Sequence, residues 1–236
     1  MMKFDIITIF PKIFDSYLNE SILKRAQQKG LVKIRIHNLR DFTEDKHKKV
    51  DDKAYGGGPG MVLKIEPIIK AISSILRISN FQFPISKQIR NSKFKKTKII
   101  LFTPAGKQFN NKIAATFAKK YQHLILICGH YEGIDERLKK VIQNSKFKIQ
   151  NLSIGPYVLS GGELPTMILI DAISRQLPGV LGKQESLEEK RLGIGVPVYT
   201  RPETFIYKNK KYSVPKVLLS GNHQKIKQWR AGRRVF

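Results

Sequence analysis

The second half of the chain alternates short apolar segments with segments of helical periodicity, and this alternation restricts the possible folds most. Residues 98–102, 124–128 and 147–152 are apolar or β-branched runs with the length of strands. Helices are predicted between them, at residues 113–121 and 134–142. Buried strands that alternate with helices are typical of a parallel sheet covered on both faces. The sequence therefore predicts an α/β fold with a parallel sheet flanked by helices.

Each of the three predicted strands is followed by a loop that contains glycine or proline. The loops read "TPAG" at residues 103–106, "GHYEG" at residues 129–133 and "SIGPYVLSGGELP" at residues 153–165. In an open α/β sheet, ligands bind in the crevice beyond the carboxyl ends of the strands. We therefore expect the three loops to converge on one pocket.

The composition of these loops favours a flat, neutral ligand over a phosphate group. No G-x-G-x-x-G motif opens the first strand–helix unit, no G-x-x-x-x-G-K-[ST] motif occurs, and the third loop has no lysine. Glycines let a ligand approach the backbone, while apolar side chains such as Pro104 and Leu159 can pack on its faces. A nucleoside without phosphates, such as S-adenosylmethionine, suits such a pocket. The alternative is that each loop is a plain strand-to-helix turn.

The charge of the chain points to a polyanionic partner. The net charge is +26, and twelve lysines and arginines but no acidic residue lie between Glu66 and Glu132. From Arg201 to the end of the chain there are ten basic residues and one acid, Glu203. Such a field attracts nucleic acids. The alternative is compositional drift, because lysine outnumbers arginine 32 to 12.

Other sequence features concern compartment and metal binding. Cys128 is the only cysteine, which excludes an internal disulfide and fits a reducing compartment. The apolar runs have strand length, too short for a membrane span, and no signal peptide is recognised, so we expect a cytoplasmic protein without membrane contact. The five histidines have no metal-ligand spacing. His47 or His130 could serve a metal, but a surface or loop role is favoured, and no metal site is predicted.

Six motifs in a fixed order resemble one family. They are "VDDKAYGGGPGM" at residues 50–61, "GHYEGIDER" from Gly129, "SIGPYVLSGGELP", "PGVLG" from Pro178, "YTRPE" from Tyr199 and "VLLSGNH" from Val217. Together they are similar to the bacterial tRNA (guanine-N1)-methyltransferase family, TrmD. The resemblance implies an α/β domain of the SPOUT class with a deep trefoil knot, and a homodimer whose active site is shared between subunits. It also implies methyl transfer from S-adenosylmethionine to N1 of the tRNA guanosine just 3′ of the anticodon, position 37, with dependence on Mg²⁺.

The same resemblance assigns roles to individual residues. It implies a cationic role for Arg175 at guanine O6, and Glu189 as the general base, with Glu188 as the alternative because the register of the linker is uncertain. Asp171 precedes Arg175 by four residues, so a helix-stabilising ion pair is the other reading of Arg175. The implied cofactor contacts come from the three loops, at Pro104, Gly129, Tyr131, Glu132, Ile154, Gly155, Pro156, Tyr157, Val158, Leu159, Gly161 and Gly162.

The chain departs from the family pattern in three places. The linker has no aspartate, Pro156 stands where an aspartate is usual, and the carboxyl-terminal helical domain is shortened. The predicted organisation is a methyltransferase domain at residues 1–182, a linker at 183–198 and a small, mainly helical, basic tRNA-binding domain at 199–236. Two alternatives to the guanine methyltransferase stay open. One is a non-catalytic RNA-binding protein of the same fold, and the other is a knotted methyltransferase acting on another RNA.

Overall fold

A computed structural model describes residues 1–77, 96–143, 147, 149–182, 187 and 195–232. By their contacts these residues form two compact units, Met1–Val180 and Leu181–Phe236. The irregular and basic sequence from Arg77 to Lys98 predicts a surface excursion, and most of this stretch falls outside the described residues. No helix in the described ranges is long and apolar enough to cross a membrane.

The first unit is built on a five-stranded parallel sheet. Its strand order is β2-β1-β6-β5-β7, and every neighbouring pair is parallel. A separate two-stranded antiparallel pair, β3 with β4, lies in the glycine-rich stretch that follows β2. The bounds are β1 Met2–Thr8, β2 Val32–Asn38, β3 Asp51–Asp52, β4 Val62–Leu63, β5 Thr97–Gln108, β6 His123–Ile127 and β7 Ile149–Ser153.

Helices cover both faces of this sheet. Along β6, Leu124 and Leu126 belong to one buried cluster, whereas Ile125 and Ile127 belong to another, as the two-residue period of a strand requires. The first cluster includes residues of α2, α4 and α6, and the second includes residues of α3 and α5. The predicted parallel sheet flanked by helices is therefore confirmed. The helices are α1 Asp15–Leu18, α2 Ser21–Gln28, α3 Ile65–Leu76, α4 Asn111–Lys120, α5 Arg137–Gln143 and α6 Glu163–Arg175, with 3₁₀ turns at Pro11–Phe14 and Leu39–Phe42.

The strand β5 differs from its prediction. It was expected to end before "TPAG", but it continues to Gln108 and pairs with β7 on both sides of an irregularity between Phe102 and Lys107. A Cβ atom on Gly106 would lie 2.6 Å from the backbone carbon of Leu152. Glycine at this position therefore lets the end of β5 pass close to β7, a contact that the local pattern does not reveal.

The second unit contains a hairpin and two short helices. Strands β8 Thr204–Tyr207 and β9 Lys210–Ser213 pair antiparallel, and α7 Lys216–Leu219 and α8 His223–Ala231 follow. The side chain of Asn222 caps α8 by accepting a hydrogen bond from the Lys225 N–H at 3.0 Å. The sequence "NHQKIKQWR" at residues 222–230 predicts a helix, which is thus confirmed, whereas the hairpin was not predicted.

A buried carboxylate connects three strands of the first unit. Asp5 on β1 is 3% exposed, and its two oxygens accept hydrogen bonds from Nε2 of His37 on β2 and Nε2 of His123 on β6, each at 2.6 Å. Burial alone would raise the pKa of Asp5, but the two imidazoles and their charges outweigh it and hold this pKa well below its ordinary value. The lowered pKa means that these contacts stabilise the fold while Asp5 is ionised.

We expect Asp5→Asn to lower the free energy of unfolding by about 3 kcal/mol at pH 7, because an amide offers one acceptor and one donor where two Nε2–H groups need acceptors. A group with a lowered folded-state pKa contributes stability above its unfolded pKa and loses it as the pH falls. The difference between wild type and variant should therefore shrink below about pH 4. Urea denaturation at pH 7 and pH 3.5 measures both effects. Asp15→Asn, at an exposed site, is the control and should change stability little.

Candidate functional site

A cleft of about 1370 Å³ lies at the carboxyl ends of the central strands. All three predicted loops line it, so their predicted convergence on one pocket is confirmed. Its walls include eleven of the twelve residues proposed for the cofactor: Pro104, Gly129, Tyr131, Glu132, Ile154, Gly155, Tyr157, Val158, Leu159, Gly161 and Gly162. Pro156 is exposed and is not among the lining residues.

Glycine 162 joins the first turn of α6 to the end of β6. Its N–H donates to the Gly129 carbonyl at 2.8 Å, and a Cβ atom on it would lie 2.7 Å from Cys128 Cα. Below this contact the Cys128 thiol lies 3.3 Å from the Thr166 hydroxyl, and burial raises the pKa of the thiol well above its usual value. Cys128 is therefore a buried packing residue directly after β6.

The loop after β7 is held in a fixed shape by its own residues. The Ser153 hydroxyl donates to the Gly155 carbonyl at 2.8 Å and accepts from the Gly155 N–H at 3.2 Å. The ring of Tyr157 lies against Gly155, where a Cβ atom would come within 2.2 Å of it. Tyr157 and Val158 remain 50% and 82% exposed, so the loop offers apolar surface to a ligand.

A fourth wall of the cleft comes from the stretch between β3 and α3. Residues 52–55 and 62–66 line the cleft. The N–H of Glu132 donates to the Met61 carbonyl at 3.1 Å, and Gly60 lies where a Cβ atom would be 2.5 Å from the Glu132 carboxylate. The motif at residues 50–61 resembles the family pattern but was not predicted to lie at the pocket. The run of glycines at residues 56–58 was the sequence signal that indicated a ligand-binding loop here.

The polar groups of the cleft include two acidic–basic contacts of different kinds. Arg137 donates to both carboxylate oxygens of Asp135, and this pairing holds the pKa of Asp135 below its ordinary value. His130 Nδ1, in contrast, is buried without a hydrogen-bond partner, 4.0 Å from Oε2 of the buried Glu163. Across the described ranges, no three His, Cys, Asp or Glu side chains are arranged to hold a metal ion.

Arg175 lies away from the cleft of its own chain. It is the last residue of α6, twelve residues after Glu163, which places it about 18 Å along the helix axis from the cleft end. The spacing of Leu164, Ile168, Asp171 and Arg175 puts them on one face of α6. The predicted base, Glu189, and its alternative, Glu188, lie outside the described residues.

Asp171 has a partner other than the one considered in the sequence analysis. Its Oδ2 accepts a hydrogen bond from the Tyr17 hydroxyl, which raises the pKa of Tyr17 to about 12. The positive charge of Arg175 acts on the same hydroxyl in the opposite direction. Tyr17, Asp171 and Arg175 therefore form one polar group beside the exposed side chains of α6.

Comparison with known proteins identifies the family. The family model described as tRNA (Guanine-1)-methyltransferase TrmD matches residues 2–235. The chain belongs to this TrmD family. A tRNA (guanine-N(1)-)-methyltransferase of Dictyoglomus turgidum is 48% identical over 98% of this chain and 84% of its own length. Relatives of the same name from Carboxydothermus hydrogenoformans and Mycoplasma mycoides are 47% and 48% identical over 97% and 100% of this chain, and over 81% and 88% of their own lengths.

The match confirms the family predicted from the six motifs. The structure is consistent with this family, because three of the six motifs, at residues 50–61, 129–137 and 153–165, contribute residues to the walls of one cleft.

Proposed function

We propose that this protein transfers a methyl group from S-adenosylmethionine to N1 of the guanosine at position 37 of tRNA. The observation that carries the proposal is the single cleft into which the three glycine-containing motifs of a TrmD family member fold. A protein that only binds RNA has no use for a nucleoside-sized cleft at the strand ends, so the non-catalytic alternative is not favoured. The tRNA substrate supports a cytoplasmic location.

The residues of the cleft fit S-adenosylmethionine. Backbone groups of the three loops and the exposed apolar surfaces of Tyr157 and Val158 suit an adenine ring. The carboxylates of Glu132 and Glu66 in the lining suit the hydroxyl and cationic groups of this molecule. When bound, S-adenosylmethionine supplies an electrophilic methyl group. We assign the binding of this molecule to the lining residues, and Pro156 to the shape of the loop between Gly155 and Tyr157.

The acceptor needs a base and a cation from the protein. Guanine N1 carries a proton and is a poor nucleophile until that proton leaves, and negative charge then develops on O6. We propose Glu189 as the base, with Glu188 as the alternative, and Arg175 as the cation at O6. Dependence on Mg²⁺ is part of the proposal, but no residue of this chain is assigned to hold the ion and no step is assigned to it.

The position of Arg175 supports a homodimer with a shared active site. One α6 helix cannot bring both its Gly162 end and Arg175 to the same reacting atom, because they are separated by about 18 Å. The face that carries Arg175 is also apolar: Leu164 and Ile168 are 54% and 46% exposed. Ile13 and Tyr17 add similar exposed surface, and contiguous exposed apolar surface marks interaction sites. We propose that these faces pair and place Arg175 of one subunit at the cleft of its partner.

The proposal includes the domain organisation and the knot. We assign residues 1–182 to methyl transfer, 183–198 to the linker and 199–236 to tRNA binding. The pairing of β5 with β7 on both sides of residues 103–106, and the tight contact at Gly106, support a chain crossing of the SPOUT type in this region.

The hairpin of the second unit supports tRNA binding there. Phe205 and Tyr207 stack with ring centroids 6.4 Å apart and planes 10° apart, and Tyr212 pairs opposite Phe205 on the same face. All three rings are more than half exposed. Lys208 lies over the Tyr207 ring at 5.6 Å. Exposed aromatic rings among lysines are suited to stacking with unpaired bases beside a phosphate backbone.

We expect the wild-type protein to transfer labelled methyl groups to a tRNA transcript with G at position 37 and not to the matched transcript with A. Glu189→Gln should lower kcat about 100-fold or more while leaving the affinity for S-adenosylmethionine unchanged, because only the deprotonation of N1 is affected. Glu188→Gln is the matched comparison. Equal transfer to both transcripts would contradict the guanine assignment, and an unchanged kcat in both glutamate variants would contradict the assignment of the base.

The shared site predicts complementation between two inactive variants. Arg175→Ala lacks the proposed cation, and Gly155→Val places a side chain where the Tyr157 ring lies. Each homodimer should be inactive. After unfolding and joint refolding, half of the dimers are mixed and each of these has one intact site, so about a quarter of wild-type activity should return. Activity that stays at the level of the separate variants would show that cofactor loop and arginine act within one chain.

The two faces of the hairpin should differ in their effect on tRNA affinity. Phe205→Ala or Tyr207→Ala should weaken tRNA binding about 5- to 100-fold, which corresponds to one lost stacking contact. Ile206→Ala is the matched control, since Ile206 points to the other face and is 61% exposed. Fluorescence anisotropy with an anticodon stem–loop measures the affinities. Equal effects of all three substitutions would exclude a specific role of the aromatic face.

A further inference from the structure

A buried polar group in the wall of the cleft has no partner. His130 belongs to the loop after β6, and its Nδ1 is fully buried without a hydrogen bond. An unpaired buried polar atom costs about 1–3 kcal/mol, so its presence calls for an explanation. The His130 side chain as a whole is 19% exposed and lines the cleft. The exposed part of the side chain therefore does not include Nδ1.

The nearest acceptor to this nitrogen is a buried carboxylate. Glu163 is the first residue of α6, and its Oε2 lies 4.0 Å from His130 Nδ1, about 1 Å too far for a hydrogen bond. Its other oxygen, Oε1, accepts from the Thr8 hydroxyl at 2.7 Å. The Thr8 oxygen in turn accepts from the Phe10 N–H at 2.9 Å. Glu163 is thus fixed at one oxygen and has a second oxygen directed to the His130 side.

Gly161 of the cofactor loop lies directly against this gap. A Cβ atom on Gly161 would come within 2.3 Å of Glu163 Oε2 and 2.5 Å of His130 Nδ1. Gly161 also forms a backbone bridge with His130, while Gly162 is bonded to Gly129. The backbone of Gly161 therefore borders the space between the Glu163 and His130 side chains.

We propose that Glu163 and His130 form a positioning pair for the cofactor cleft. Binding of S-adenosylmethionine moves the loop that contains Gly161 and closes the gap, so that Nδ1–H of His130 donates to Oε2 of Glu163. The bond fixes the neutral imidazole as the Nδ1–H tautomer, and its Nε2 is then a hydrogen-bond acceptor on the exposed side of the ring. The inference rests on the proposed function, because it names residues that order the same cofactor site.

The Thr8 contact gives Glu163→Gln a distinctive expected effect. The Thr8 hydroxyl already accepts from Phe10 and must donate to residue 163, so it selects the amide oxygen of the glutamine. The amide NH₂ group then faces His130 Nδ1. It can only donate, and it therefore favours the opposite tautomer, with the proton on Nε2.

Nitrogen chemical shifts of ¹⁵N-histidine-labelled full-length protein test the tautomer directly. Adding S-adenosylmethionine to the wild type should move the His130 signals to those of a protonated Nδ1 and an unprotonated Nε2. In Glu163→Gln the bound state should show the reverse pattern. His130→Gln assigns the signals by their loss. Wild-type His130 signals that stay unchanged when the ligand is bound would overturn the inference.

Calorimetric titration with S-adenosylmethionine gives the second readout. Glu163→Gln should bind about 10- to 100-fold more weakly, because a neutral amide replaces the charged carboxylate as the hydrogen-bond partner of His130. His123→Gln is the matched control, because it also alters a contact between an imidazole and a buried carboxylate, but at Asp5. It should lower stability and leave this affinity unchanged. Wild-type affinity in Glu163→Gln would overturn the inference.

These experiments distinguish failure of the positioning pair from failure of the proposed function. Methyl transfer to guanosine 37 without a tautomer change at His130 would contradict the positioning pair and support the methyltransferase assignment. Ligand binding with the expected tautomer change, but without methyl transfer, keeps the pair and removes the proposed reaction.

Discussion

The packing of Gly162 against the end of β6 is the contact on which the rest of the site depends. It brings the first turn of α6 to within van der Waals reach of Cys128, and its N–H bonds to Gly129. Two loops that are more than twenty residues apart in the chain thereby become adjacent walls. Without this close approach, the carboxylate of Glu163 would not lie behind the loop that contains His130. A side chain at this position would separate them, since the neighbouring atoms are backbone and cannot rotate away.

The two ends of the strands in the first unit have different roles. At the carboxyl ends of the strands, loops rich in glycine leave backbone groups and apolar side chains open to a ligand. Away from these ends, Asp5 forms an ionic contact that connects three strands. Both features use buried carboxylates, but Asp5 has partners at both oxygens, whereas Glu163 has a partner at one. A buried polar group with all its hydrogen bonds made adds rigidity, so the Asp5 contact fixes the three strands relative to one another.

The sequence predicted the parts of this structure that follow from local pattern. Alternating apolar runs and helices indicated the parallel sheet, and the loops after them indicated the cleft, because strand ends of a parallel sheet share one edge. The continuation of β5 beyond residues 103–106 could not be predicted from the local sequence, because Pro104 and Gly106 are typical of a strand end. The strand continues because it pairs with β7, which lies more than forty residues further along the chain. The gap between His130 and Glu163 depends on contacts distant in sequence. The hairpin around Lys208 could not be predicted, because the strongly basic sequence of this region indicates a charged surface and gives no signal of strand pairing.

The thirteen-residue length of α6 has a consequence for how activity depends on the amount of protein. The helix separates the cleft from Arg175 by about 18 Å, so an isolated subunit would be incomplete if Arg175 has the role proposed above. In the proposed pairing, each subunit supplies Arg175 to the active site of its partner. Below the dissociation constant of the dimer, the active species grows with the square of the protein concentration, whereas above it growth is linear. Below that constant, a twofold change in the amount of protein would therefore change the amount of the active species about fourfold.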